Sequence, residues 1–151
     1  MKIRMTVKED MPELALLYKQ FWNEDSSIEL MESKFIDLQE NPNYIFLSAL
    51  EENQLIGSVL GIICEELYGE CKPFLLIEDL IVDQKYRRKG IGKALMFEIE
   101  KIALENDCYQ ILLITHNDRT DAIAFYESLG FNPDTHKGFK KVFDTIKRYS
   151  N

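Results

Sequence analysis

Between Tyr86 and Leu95 the chain reads YRRKGIGKAL: Arg87, Arg88 and Lys89 run together, Gly90 and Gly92 flank Ile91, and Lys93 follows. Basic side chains offer charge-assisted hydrogen bonds to an anion. The first amides of a helix starting at Gly90 have no partner inside that helix, and glycine lets a phosphate approach them without meeting a Cβ. The chemistry this spacing could do is anion binding, to which the helix dipole adds about 0.3–1 kcal/mol; a surface loop with solvated charges is the alternative. Two nucleotide-binding alternatives fail on particular residues. A magnesium-holding P-loop places Ser or Thr after its Gly-Lys, and Ala94 follows Gly92-Lys93 here. A dinucleotide fingerprint needs a third glycine, and Leu95 holds that position.

Just upstream, FLLIEDLIVD (74–83) places Glu78 and Asp79 in a run otherwise made of Phe, Leu, Ile and Val up to its closing Asp83. Carboxylates in such a strand are costly unless they are paired or put to use. Neighbouring strand residues point to opposite faces, so the two acids are expected to do different things. A hydrogen bond to nearby backbone is the structural alternative for both.

The run LIEDLIVDQKYRRKGIGKAL resembles the signature of the GCN5-related N-acetyltransferases, and DAIAFYESLGF (121–131) resembles that family's A-x-x-F-Y-E-x-x-G-F segment. The resemblance is good from Tyr44 to Phe131; before that, only the strand–helix–helix layout matches. It implies an α/β single-domain fold, with a mixed, mostly antiparallel central sheet flanked by helices and a fourth and fifth strand that splay apart. It also implies acetyl-CoA as cosubstrate. The pyrophosphate would lie on Arg87, Arg88, Lys89, Gly90, Ile91, Gly92 and Lys93. The pantetheine arm would bond to the backbone of Leu80, Ile81 and Val82, imitating a neighbouring strand, and would reach Asn117 and Tyr126.

The implied reaction is attack of a primary amine on the thioester in a ternary complex. An amine with a pKa near ~10 must lose a proton, and the thiolate that leaves must gain one. By the resemblance, Glu78 is the base, directly or through water, Asp79 binds the amine or orients a loop, and Tyr126 is the general acid. Packing beside Phe125 is the alternative for Tyr126. His116 is an alternative proton acceptor or a structural residue. Arg119 is left between a helix cap, an ion pair and a CoA phosphate contact. By the same resemblance the acceptor pocket maps to residues 21–33, where Trp22 and Glu24 suit an ammonium group by cation–π contact and charge; an ordinary acidic helix–helix turn is the alternative. Small cationic amines of polyamine or aminoglycoside type fit. A protein or peptide amino terminus, and a non-catalytic acyl-CoA-binding regulatory domain, are the competing readings.

The elements that must hold these groups follow from periodicity. A strand is expected over residues 3–7. A helix follows with a capping box of Asp10 and Glu13, and a second helix ends before Asn41-Pro42. Strands 44–51 and 54–66 form a hairpin about Glu52-Asn53, and 74–83 is the strongest strand. A helix is expected over 90–106, a buried strand over YQILLIT (109–115), a helix over 121–129 capped by Gly130, and a last strand at GFKKVF (138–143).

With 151 residues, 46% of them hydrophobic, this makes one domain over 1–151. No apolar run reaches the ~20 residues of a membrane helix, and the amino end lacks a signal peptide pattern, so a cytoplasmic protein is expected. A formal net charge of -8 argues against nucleic-acid binding. The three cysteines form no C-x-x-C pair and His116 and His136 stand apart from them, so no metal site is expected. A homodimer would suit the family, although no segment fixes an interface.

Overall fold

In the computed structural model, which describes residues 1–143, the first compact unit spans Met1–Leu113 and a second begins at Ile114. The first contains β1 (Lys2–Met5), α1 (Met11–Trp22), α2 (Ile28–Gln39), β2 (Tyr44–Glu51), β3 (Gln54–Cys64), β4 (Phe74–Val82), α3 (Ile91–Glu105) and β5 (Ile111–Leu112). The second holds α4 (Thr120–Ser128).

The five strands lie in the order β1-β2-β3-β4-β5, with the first four antiparallel and β5 parallel to β4. The hairpin turn between β2 and β3 is as expected, with Glu52 and Asn53 both at positive φ (50° and 69°), the backbone that matches strand twist. α3 lies against one face. A Cβ on Gly61 would stand 2.8 Å from Ile99 Cδ1, and one on Gly57 3.3 Å from Leu95 Cδ1. Glycines on β3 thus let α3 settle directly on the sheet. On the other face Met11, Leu14 and Leu17 of α1 and Phe35 of α2 form a core with Leu55 and Ile81, and Phe35 meets Phe46 edge to face at 5.4 Å. Truncating a fully buried residue such as Leu17 to Ala would cost about 2–5 kcal/mol.

β5 corrects the expectation of a long buried strand. Only Ile111 and Leu112 pair with β4, opposite Leu75 and Leu76, and Leu112 and Ile114 are exposed. Beyond Leu76, β4 is paired, among the described residues, only with β3. The two strands therefore part after two residue pairs, which is the splay expected of the fourth and fifth strands.

The capping box at Asp10 is also replaced. The Arg4 guanidinium donates to both Asp10 carboxylate oxygens, at 2.7 and 2.8 Å. Val7 N and Ser48 Oγ each donate to Oδ2 at 3.0 Å, and Ser48 Oγ lies 2.8 Å from Thr6 Oγ1. Burial pushes the Asp10 carboxyl up, but Arg4, Val7 and Ser48 together hold it below the usual carboxylate range. Glu13 accepts from Leu55 N, a residue of β3, instead of closing on the helix start. A buried carboxylate goes to the nearest cation, and here Arg4 on β1 is that cation.

In the second unit α4 ends as the sequence suggests, at Gly130 with φ +91°. Gly130 N donates to Glu127 O at 3.0 Å and Phe131 N to Tyr126 O at 3.2 Å, the two bonds of a Schellman motif. The expected last strand is not formed: residues 138–143 have no regular secondary structure, and Phe139 is 91% exposed. No helix among the described residues is long and apolar enough to cross a membrane.

Candidate active site

β4 carries the carboxylates, and its irregularity decides how they lie. Leu60 pairs with Glu78 and Ser58 with Ile81, so Asp79 and Leu80 together stand opposite Val59 alone. The extra residue is a β-bulge, and Asp79 sits in it at φ +55°, a left-handed conformation that Asp tolerates better than most residues. The bulge breaks the alternation that would send neighbours to opposite faces. Glu78 shares the face of Leu60 and Phe46 by register, and Ile81, three residues on, packs in the core on that same face. The unbroken alternation on which the expectation of opposite faces rested is interrupted at Asp79 and Leu80.

Both acids are half-buried. Burial, and then the neighbouring charge of Glu78, push the Asp79 carboxyl up. Asp79 in turn acts on Tyr18 of α1, whose hydroxyl is raised by burial and secondarily by the Asp79 charge. Tyr18 belongs to this cluster, although its helical spacing reads only as core. The available signal was its i, i+4 relation to Trp22. The two rings meet at 5.2 Å, and Phe21 meets Trp22 at 4.7 Å.

Trp22 is 46% exposed at the carboxyl end of α1. Glu24 lies exposed in the connection to α2. Its neighbour Asp25 is already engaged, by Lys19 at 2.6 Å, so that connection has less free negative charge than its composition suggests.

β4 runs straight into the basic turn. Leu80 and Val82 are half-buried, and Ile81 is in the core. Asp83 then anchors the turn. Its Oδ1 accepts from Lys85 N at 2.8 Å, its carbonyl from Tyr86 N at 2.9 Å, and its own N donates to Ile56 O at 2.9 Å. Arg87 Nε reaches back to Val82 O at 3.3 Å, and Lys89 Nζ stands 4.8 Å from the Tyr86 ring centre. Arg88 and Gly90 take positive φ, 61° and 82°.

Among the described residues no side chain caps α3, and its first turn contains no acid. Ala94 N closes on Gly90 O, so Ile91, Gly92 and Lys93 provide the amides left without intrahelical acceptors. Arg87, Arg88 and Lys89 lie exposed around them, with Lys93 on the first turn of the helix. An anionic group fits this arrangement: open amides, a helix dipole and long-stemmed cations.

The second unit, described by itself, holds Tyr126 and Asn117. Tyr126 is packed edge to face between Phe125 (5.2 Å) and Phe131 (5.9 Å), and its carbonyl is the acceptor of the Schellman bond from Phe131. Burial raises the hydroxyl's pKa, and Arg119 partly offsets this. Asn117 is exposed in the turn before α4, in which Arg119 N bonds to His116 O at 3.1 Å. Among the described residues no group of three His, Cys, Asp or Glu side chains is arranged to hold a metal ion.

A strand edge that parts from β5, a bulged carboxylate pair and a basic helix start thus follow one another along the chain. The chain belongs to the acetyltransferase (GNAT) family, whose model matches residues 11–131. It is 28% identical over 102 residues to a probable glucosamine 6-phosphate N-acetyltransferase of Drosophila melanogaster, covering 66% of this chain and 45% of the relative. It is 44% identical over 94 residues to N-alpha-acetyltransferase 30 of Xenopus laevis, covering 62% of this chain and 33% of the relative. The chain thus matches less than half the length of either. In fold it is similar to a putative acetyltransferase from Agrobacterium tumefaciens, with a TM-score of 0.88 at 23% identity over 95% of this chain and all (100%) of that one.

Proposed function

We propose that residues 1–151 act as one catalytic domain, an N-acetyltransferase that moves an acetyl group from acetyl-CoA to a primary amine, most simply a small cationic one of polyamine or aminoglycoside type. The observation that carries this is the course of β4. It leaves β5 after Leu76, passes the Glu78–Asp79 bulge with one edge open, and ends in the uncapped basic turn. An amide-rich arm can add to that edge through the backbone of Leu80, Ile81 and Val82, and a pyrophosphate can rest on the amides of 91–93.

In this reading Glu78 removes the proton from the amine, Asp79 holds the ammonium with Trp22 and Glu24 beside the α1 end, and Tyr126 protonates the departing thiolate. The raised pKa of Asp79 favours a second assignment, in which Asp79 takes the proton and Glu78 holds the ammonium, since a base works best with a pKa nearer the working pH. Glu78→Gln and Asp79→Asn separate the two. A base is active only when deprotonated, so its group sets the acid limb of the pH–rate profile. Loss of that limb in one variant identifies the base; an unchanged limb in both removes the pair from proton transfer.

A peptide amino terminus is the second acceptor reading, favoured by the 44% identity to N-alpha-acetyltransferase 30. Thiol release from acetyl-CoA, measured against polyamines, an aminoglycoside, glucosamine 6-phosphate and short peptides, decides between them. CoA binding without turnover on any amine would leave a non-catalytic acyl-CoA sensor.

A further inference from the structure

We propose that Gln20, on α1, is a positioning residue for the anion-binding turn. Its side-chain amide spans the gap between helix and turn with both of its polar atoms. Nε2 donates to Asp83 Oδ2 at 3.0 Å, and Oε1 accepts from Gln84 N at 3.2 Å. The partners lie 63 and 64 residues away in sequence, so no local turn chemistry calls for these bonds.

Asp83 is the fixed point from which the turn departs, and it is only 8% exposed. With Oδ1 on Lys85 N and Oδ2 on Gln20, both carboxylate oxygens are engaged. Removing the Gln20 amide leaves Oδ2 and Gln84 N without these partners at the head of the turn. The segment from Gln84 to Gly90 then samples other conformations, and the α3 amides are less well arranged before a ligand arrives, which weakens binding. Gln20 does not touch the ligand in this scheme; it acts through Asp83 and Gln84. The inference rests on the reading of the turn as a CoA pyrophosphate cradle.

The test is titration calorimetry of the 151-residue chain with CoA, paired with a thermal melt. Gln20→Leu should raise Kd for CoA about fivefold, the equivalent of one hydrogen bond. The double variant Gln20→Glu with Asp83→Asn exchanges donor and acceptor across the contact. The carboxylate introduced on α1 accepts from the amide nitrogen introduced on the turn and from Gln84 N. The oxygen of that new amide still accepts from Lys85 N. The double variant should bring Kd back to within about twofold of wild type, by the logic of a double-mutant cycle.

A lower melting temperature with Kd unchanged in Gln20→Leu means a merely structural contact and overturns the proposal. A double variant that binds no better than Gln20→Leu overturns it as well. Should Gln20→Leu fail to fold, Asp83→Asn set against the double variant gives the same comparison. A wild-type chain that binds no CoA sinks the reading of the turn itself, a failure visible before any variant is made.

Discussion

Among the described residues two helix ends are marked by a glycine at positive φ, and they are bonded in opposite ways. At the start of α3, Gly90 (φ 82°) leads into amides that no side chain caps. At the end of α4, Gly130 (φ 91°) and the residue after it close two hydrogen bonds onto the carbonyls of Glu127 and Tyr126. Around both, no described protein atom lies within 4 Å of where a Cβ would be, so what an alanine would strain at either is the backbone angle and not the packing within the chain. The first end is left open, where a ligand can supply the missing partners. The second is closed upon itself, and what it holds in place is the backbone of Tyr126.

The largest effect expected from this contrast concerns the closed end. If the Schellman motif serves to aim a proton donor, the hydroxyl it aims should matter to chemistry and not to binding. Tyr126→Phe keeps both edge-to-face ring contacts and should lower turnover by about a hundredfold or more, the usual worth of a general acid, while Kd for CoA stays within about twofold. Steady-state thiol release and calorimetry read the two quantities separately. Turnover equal to wild type would make Tyr126 a packing residue and reduce the closed end to a stability device.

The sequence disclosed these two ends because each rests on a local rule. A glycine after a helical run needs only its neighbours to be read, and so does a basic glycine turn after an apolar strand. The hairpin at Glu52-Asn53 was legible for the same reason. What was not legible depends on partners far away. Asp10 has Glu13 three residues on, the spacing of a capping box, yet Arg4 and Ser48 claim its carboxylate. Glu78 and Asp79 are adjacent in a strand, yet the bulge facing Val59 interrupts its alternation, so that Glu78 and Ile81 share a face. Tyr18 and Gln20 are ordinary helix positions until Asp79 and Asp83 come near them. Leu113 and Ile114 extend an apolar run that reads as strand, but no pairing partner is found for them among the described residues beyond Leu112. Tertiary pairing therefore overrode local pattern at the carboxylates above all, and these are the residues on which the candidate chemistry depends.

The start of α1 gives the contrast a control, since it is a helix start whose carboxylate is satisfied wholly from within the chain. Asp10→Asn removes the charge from a buried network and should destabilise the fold by about 2 kcal/mol at neutral pH, without changing Kd for CoA. Because the folded-state pKa of Asp10 is lowered, its stabilisation is fully present above the unfolded carboxylate value of about 3.9. It is lost as pH falls through the lower folded value. Denaturant melts of wild type and variant should therefore differ at neutral pH and converge in strong acid. A difference that persists there would assign the effect to altered hydrogen bonding and not to charge.

The smallest effect separates the two glycines directly. Gly90→Ala and Gly130→Ala meet the same open space and nearly the same φ, so each should cost about 1 kcal/mol from backbone strain alone. For a chain of this size that is a fall of about 2–4 °C in melting temperature. Equal losses of stability make any difference in function interpretable. Gly90→Ala should also weaken CoA binding about threefold, because the angle at that residue directs the open amides of α3. Gly130→Ala should leave CoA affinity alone and lower turnover, because it disturbs only the bonds that hold Tyr126. If instead both variants weaken CoA binding alike, openness at the start of α3 is not what the ligand reads, and the distinction between an open and a closed helix end fails for this protein.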